Sequence, residues 1–200
     1  MKAAKPAWNI CLKPVSHCGI RKVELVLVKS YRNYRTIGIG KTDTGWDILE
    51  KLNGNNISSA LLDVDWLANI RPFDWSKTND VLFVLDELQL ITLQHVKRKT
   101  QVLILPYCYE VADNIEIYEK FCIQNGIVFN KFCLICDLDT IKARILNRYR
   151  NETQKQNEYK NAASFLALYN SQKENFGDVI DNSNLSISDT GKYILKRSNI

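Results

Sequence analysis

The residues with the most chemical capacity are Thr36-Ile37-Gly38-Ile39-Gly40-Lys41-Thr42, which run directly into a helical pattern over Asp43 to Leu52. A glycine-rich turn at the start of a helix sets backbone N–H groups around an anion, and the helix dipole adds to the attraction. In such a turn a lysine reaches the β- and γ-phosphates of a nucleotide and a hydroxyl sits on Mg²⁺. Lys41 and Thr42 are those residue types in that order, with Gly38, Ile39 and Gly40 as the backbone cradle. The full pattern wants a further glycine at the position of Arg35, so the loop is incomplete. A plain turn with a surface lysine is the other reading of the same residues.

A second chemical group lies downstream, in Ala60-Leu61-Leu62-Asp63-Val64-Asp65-Trp66-Leu67. An apolar strand there delivers two carboxylates at its C-terminal end, where open α/β sheets bind ligands, and strand alternation points Asp63 and Asp65 the same way. One carboxylate can hold a metal through water while the other orients or deprotonates a hydroxyl, tasks that phosphoryl transfer needs beyond charge neutralisation. The plainer account is a strand-end cap.

These residues need a framework that brings a glycine turn and a strand end together. From about residue 23 onward, short apolar runs alternate with segments of helical periodicity, the sequence form of an α/β domain with a parallel sheet. Strands are expected at Val23 to Val28, Ser59 to Val64, Gln101 to Pro106, Lys131 to Asp137 and Asp178 to Asp181. Helices are expected at Thr42 to Leu52, Asp80 to Lys97, Val111 to Asn125, Leu138 to Arg150, Lys155 to Asn175 and Ser188 to Arg197. Val81, Val84, Leu85, Leu88 and Thr92 form a core-facing stripe, with Thr78 or Asn79 as N-cap. Gly126 stands where a left-handed C-cap is wanted. The near-continuous apolar run Val102 to Leu105 implies a strand covered on both faces.

The chain has 200 residues, 46% of them hydrophobic and 24% charged, which suits one folded domain. Apolar runs are too short to cross a bilayer. The net charge of +5 is a mild excess that a nucleotide or another small anion accounts for as well as nucleic acid does. Residues 1–20 read as an irregular leader without a secretion signal, and residues 21–200 as the domain. Cys108, Cys122, Cys133 and Cys136 lie in apolar patterned segments, which fits core thiols in a reducing cytoplasm.

At this point the sequence resembles the small P-loop kinases, in particular the shikimate-kinase-like and chloramphenicol-phosphotransferase-like group of nucleoside-kinase-like ATP-binding proteins. The likeness rests on Gly38 to Gly45, Leu61 to Leu67, Leu138 to Arg148 and Val179 to Ser186. It implies a three-layer P-loop NTPase fold with a five-stranded parallel sheet in the order 2-3-1-4-5, ATP over the loop, and a lid near residues 148–160. It further implies phosphate and Mg²⁺ roles for Lys41 and Thr42, an outer-shell metal role for Asp63 and a substrate-hydroxyl role for Asp65. Arg144 and Arg148 would neutralise transferred phosphate or stack on adenine, and Asn182, Ser183 and Asn184 would border the base. Two departures accompany Arg35: Asp43 occupies a position usually held by a second Ser or Thr, and the run Val102 to Tyr107 ends without an acid.

Other constellations carry less. Cys133 and Cys136 have the spacing of a zinc knuckle, with Cys11 and Cys18 as imaginable partners, but a strand turns neighbouring side chains to opposite faces where zinc wants a converging turn. His17 and His95 are too few for a metal site or triad. Arg144, Arg148 and Arg150 also read as a solvated helix face; Trp66 reads equally as core or as substrate cover, and Trp75 reads as core before substrate cover. The expected function is ATP-dependent phosphoryl transfer to a hydroxyl of a small molecule. The alternatives are a degenerate, non-catalytic nucleotide- or partner-binding module and, further off, a nucleic-acid-associated protein with steeply salt-dependent binding.

Overall fold

The computed structural model describes residues 24–31, 39–67, 74, 77–109, 112–147, 151–172 and 177–200. A run such as Val102 to Leu105 can be buried only if both sides of its strand are covered, and the surroundings of that strand meet the requirement. Val102 and Ile104 join a core with Ile48, Leu52, Phe132, Leu134, Ile141, Ile145, Ile180 and Ile194. Leu103, Leu105 and Tyr107 face a second core with Val81, Val84, Leu85, Leu88, Ile115, Tyr118 and Cys122. Successive residues alternate between the two cores, as the strand period of two demands.

The strands are β1 (Glu24–Tyr31), β2 (Ser59–Leu61), β3 (Val102–Tyr109), β4 (Val128–Ile135) and β5 (Asp178–Asp181). They form one five-stranded sheet in the order β2-β3-β1-β4-β5, with every neighbouring pair parallel. The helices are α1 (Lys41–Gly54), α2 (Thr78–Lys97), α3 (Ala112–Gln124), α4 (Leu138–Leu146), α5 (Glu152–Gln172) and α6 (Ile187–Ser198). Side chains of α2 and α3 supply one core and those of α1, α4, α5 and α6 the other, giving three layers.

Several boundaries differ from the sequence expectation, each for a physical reason. β1 runs three residues past Val28 because Lys29, Ser30 and Tyr31 stay in register with Tyr107, Cys108 and Tyr109 of β3. β3 therefore ends at Tyr109 rather than Pro106, and the residue after it in the sequence is Glu110, so the strand is followed by an acid after all. β4 starts earlier, at Val128, and stops before Asp137, which serves as N-cap of α4. Lys77, not Thr78 or Asn79, is the N-cap of α2, and it makes no side-chain capping bond; the Asp80 carboxylate instead accepts from the Asp74 N–H at 2.8 Å.

The end of α3 follows expectation. Gly126 has φ 69°, the Ile127 N–H donates to the Cys122 carbonyl at 2.9 Å and the Gly126 N–H to the Ile123 carbonyl at 3.1 Å. That is a Schellman closure. The leader (1–20) lies outside the described residues, as do 148–150 of the expected lid, whose residues 152–160 form the first turns of α5.

Gly45 fixes how close α1 lies to the sheet. A Cβ there would come within 2.9 Å of both Leu61 Cδ1 on β2 and Pro106 Cγ on β3. Gly45→Val is expected to lower unfolding stability by about 1–3 kcal/mol through overpacking, read as an earlier urea midpoint with an unchanged m value.

Candidate active site at the start of α1

α1 opens at Gly40, whose φ of 88° and ψ of 21° lie in the left-handed region. A Cβ there would meet nothing closer than Thr44 Oγ1 at 4.0 Å, so backbone conformation rather than space requires glycine. The Thr44 N–H donates to the Gly40 carbonyl at 2.8 Å. The N–H groups of Lys41, Thr42 and Asp43 precede that first turn and have no acceptor within the helix, which makes this end an anion-binding terminus. Asp43 is exposed and Thr44 is buried, so the acid in the first turn faces solvent.

The two carboxylates reach this helix end by a different local geometry from the one expected. β2 stops at Leu61, and Asp63 caps a 3-10 turn over Val64–Trp66. Its Oδ1 accepts from the Asp65 N–H at 3.1 Å, so strand alternation does not set the pair's direction. Its Oδ2 accepts from the Thr42 hydroxyl at 3.0 Å, which joins the end of β2 to the first turn of α1. The capping role and the contact with the helix end thus coexist in one side chain.

Burial raises the pKa of the Asp63 carboxyl, and the neighbouring Asp65 charge raises it further; the Asp65 N–H, the Thr42 hydroxyl and the Lys41 charge pull in the other direction. Asp65 Oδ1 and Thr44 Oγ1 are buried with no hydrogen-bond partner among the described residues. Buried polar atoms are rarely left so, and those at a ligand site are satisfied by the ligand. Mg²⁺ takes one or two carboxylate or hydroxyl oxygens together with phosphate and water. The Thr42 hydroxyl and the Asp63 carboxylate, already in contact, fit that ion. No group of three or more His, Cys, Asp or Glu that could cage a metal occurs among the described residues.

The loop after β5 comes to the same place from the other side. Asn182 is 3% exposed, and its Nδ2 donates to the Ile39 carbonyl at 2.8 Å. Its N–H donates to the Ile135 carbonyl at 2.9 Å, and its own carbonyl accepts from Arg144 Nη2 on α4 at 2.9 Å. Arg144 Nη1 lies 3.4 Å from Asn182 Oδ1. The Ser183 hydroxyl accepts from the Asp137 N–H at 2.8 Å and donates to Asp181 Oδ1 at 2.5 Å. The structure thus brings Thr42, Asp63 and Asp65 together at the α1 end, and Ile39, Asn182 and Arg144 behind it. Gly38 and Arg148 lie outside the described residues. Sequence reasoning passed over Thr44 and the packing role of Gly45. The run Thr42-Asp43-Thr44-Gly45 carried the signal, since a small residue one turn into a helix marks a close approach.

Asp137 accepts from the Thr140 N–H at 2.7 Å and from the Thr140 hydroxyl at 2.8 Å, and these bonds hold its carboxyl at about 2. A depressed carboxyl contributes stability that is complete above the pKa of the unfolded chain, about 3.9, and is lost as pH falls through the folded value. Asp137→Ala is therefore expected to lower Tm at pH 7 and at pH 5 by the same amount, with the difference from the native chain closing only as pH approaches about 2.

Cys122, Cys133 and Cys136 are buried. Burial pushes the Cys122 thiol up to about 12 and raises that of Cys136, the opposite of what a metal-binding or reactive thiolate needs. Cys11 and Cys18 lie outside the described residues. His95 Nδ1 lies 3.1 Å from the Thr100 hydroxyl beyond the end of α2, a local tie. Trp66 is 75% exposed, so it is not a core residue. No helix among the described residues is long and apolar enough to cross a membrane.

No protein-family model and no curated protein sequence matches the chain. Solved structures do. The APS kinase of Mycobacterium tuberculosis, in complex with AMPPNP and APS, superposes with a TM-score of 0.60 at 15% identity over 91% of this chain and 100% of that one. The Deinococcus radiodurans tunicamycin resistance protein gives 0.59 at 16% identity over 90% and 97%. A gluconokinase from Sinorhizobium meliloti gives 0.56 at 12% identity over 90% and 93%. The chain has a P-loop kinase-like fold.

Proposed function

We propose that the protein is an ATP-dependent phosphotransferase acting on a hydroxyl of a small molecule. The observation that carries this reading is the contact of Thr42 with Asp63, two residues before Asp65, whose buried Oδ1 has no hydrogen-bond partner among the described residues, at the N-terminus of α1. The turn at Gly38, Ile39 and Gly40, with Lys41, takes the nucleotide phosphates, and Thr42 and Asp63 hold Mg²⁺, which when bound screens the charge that builds on the phosphates. Asp65 accepts the hydrogen bond of the acceptor hydroxyl. That oxygen forms a bond to the γ-phosphorus as the bond from phosphorus to the ADP oxygen breaks, and the hydroxyl proton passes to the Asp65 carboxylate. In this reading Arg148, which lies outside the described residues, would neutralise the transferred phosphate, and Ser183 would border the base. The buried cysteine thiols suit a reducing compartment, consistent with the cytoplasm.

The test is calorimetric titration of Mg²⁺-ATP into the native chain and Lys41→Ala, followed by acceptor screening. A dissociation constant within about 1 μM–1 mM for the native chain is expected. Lys41→Ala is expected to lose at least about tenfold in affinity. Absence of binding to the native chain sinks the proposal. Arg35, in place of the outer glycine, favours one other reading, a nucleotide-binding module without turnover. Affinity for Mg²⁺-ATP with no phosphate transferred to any hydroxyl, water included, would select it.

A further inference from the structure

We infer that Asn182 is a positioning residue of the phosphate loop, holding the Ile39–Gly40 peptide in its anion-binding orientation, and that Arg144 acts through it. This rests on the reading of the α1 terminus as a phosphate site. A loop that binds an anion through N–H groups must turn its carbonyls away, and a carbonyl turned inward needs a donor there. The Ile39 carbonyl has that donor in Asn182 Nδ2, at 2.8 Å. Ile39 itself is fully buried, and the next residue is the left-handed Gly40, so the bond is made at the residue before the turn.

The donor is fixed in its own right. Its backbone bonds to Ile135 at the end of β4 and to Arg144 on α4 fix the main chain from which the Asn182 side chain reaches Ile39. Arg144, with one guanidinium nitrogen at 2.9 Å from the Asn182 carbonyl and another at 3.4 Å from Oδ1, selects the amide orientation in which Oδ1 faces the cation and Nδ2 faces Ile39. An asparagine suits both demands, since one end must accept and the other donate. Aspartate would set a carboxylate oxygen against the Ile39 carbonyl and lose the donor.

The inference differs from a role in holding the base, which the position of the loop after β5 would also allow. Loop positioning affects every ligand that uses the phosphates, and base contact affects only ligands with a base. The experiment titrates Mg²⁺-ATP and Mg²⁺-tripolyphosphate into the native chain, Asn182→Asp, Arg144→Ala and the double variant, alongside amide hydrogen exchange of the segment around Gly40 and Lys41 in the unliganded proteins.

Asn182→Asp is expected to weaken both ligands by the same factor, about tenfold, and to speed exchange in that segment while β3 amides keep their protection. Arg144→Ala is expected to weaken both as well, with the double variant no weaker than Asn182→Asp alone, as two steps of one path require. Loss for ATP with tripolyphosphate unaffected would assign Asn182 to the base and overturn the inference. So would multiplicative losses in the double variant, which would put Arg144 on the ligand itself. If the native chain binds neither ligand, the phosphate reading fails, and the exchange data still decide: unchanged exchange in Asn182→Asp overturns the positional link separately. Should Asn182→Asp fail to fold, Arg144→Ala carries the same comparison, a loss shared by the two ligands supporting the inference and a loss confined to ATP overturning it.

Discussion

Asp65→Asn is expected to reduce phosphate transfer by about 10²–10⁴-fold, the range for removing a positioned proton acceptor, while Mg²⁺-ATP binds with nearly native affinity. The amide keeps the volume and the turn, whose Asp65 N–H still donates to Asp63. It gives up the ability to take a proton. Because Asp65 Oδ1 is buried and lacks a hydrogen-bond partner among the described residues, the substitution removes little from the resting structure, so the loss falls on kcat. A parallel fall in ATP affinity, measured by the same titration, would show that Asp65 serves the nucleotide and not the acceptor.

Asp63→Asn is expected to move stability and function in opposite directions. Burial and the adjacent Asp65 charge work against the ionised Asp63 carboxyl, so a neutral residue there relieves a cost that the unliganded protein carries at neutral pH. Tm of the unliganded variant should therefore rise or hold, while Mg²⁺-dependent tightening of ATP binding falls by about 10–100-fold, as for loss of a metal-holding carboxylate. Thermal melts with and without Mg²⁺-ATP read both effects in one experiment. A variant destabilised without ligand would mean that the cap on the 3-10 turn outweighs the charge effect. A native chain and a variant with equal Mg²⁺ dependence would remove Asp63 from the metal site.

How far the sequence led depends on how local the determining force is. The starts of β2, β3 and β5 and the core stripe of α2 were legible because apolar periodicity is itself the cause of burial. The far end of β1 was not. Lys29, Ser30 and Tyr31 belong to the strand only because β3 lies alongside them, a partner far along the chain. β4 was misplaced toward its C-terminal end because Asn130 breaks the apolar run after Val128 and Phe129; Lys131, taken as the first residue, lies within the strand and is paired with Glu119 at 2.7 Å. The sheet order came from resemblance and not from periodicity, and it matches the observed order.

At the candidate site the Gly40-Lys41-Thr42 run was legible because its mechanism is local: a left-handed residue, then N–H groups that precede the first helical turn, then a helix. The closeness of Asp63 to Thr42 followed from placing a strand end beside that helix. The capped turn did not, since Asp63-Val64-Asp65 satisfies strand alternation and a 3-10 turn equally. The Asn182 bond was beyond reach for a plainer reason: its acceptor is a backbone carbonyl, which has no residue identity to notice.

The bond between Asn182 and Ile39 also sets an order of events in the life of the chain, because it joins points 143 residues apart. During synthesis the glycine turn leaves the ribosome long before its amide support exists, and loop closure over such a span waits for β4 and β5 to emerge. β1 is in the same position, since its two neighbours, β3 and β4, are both made later. A nascent chain halted before β5 has every residue of the turn and none of its anchorage. The proposed capacity to take up a nucleotide is then acquired only after Asn182 has been made, and a bound nucleotide would stabilise only chains in which the loop after β5 has reached Ile39.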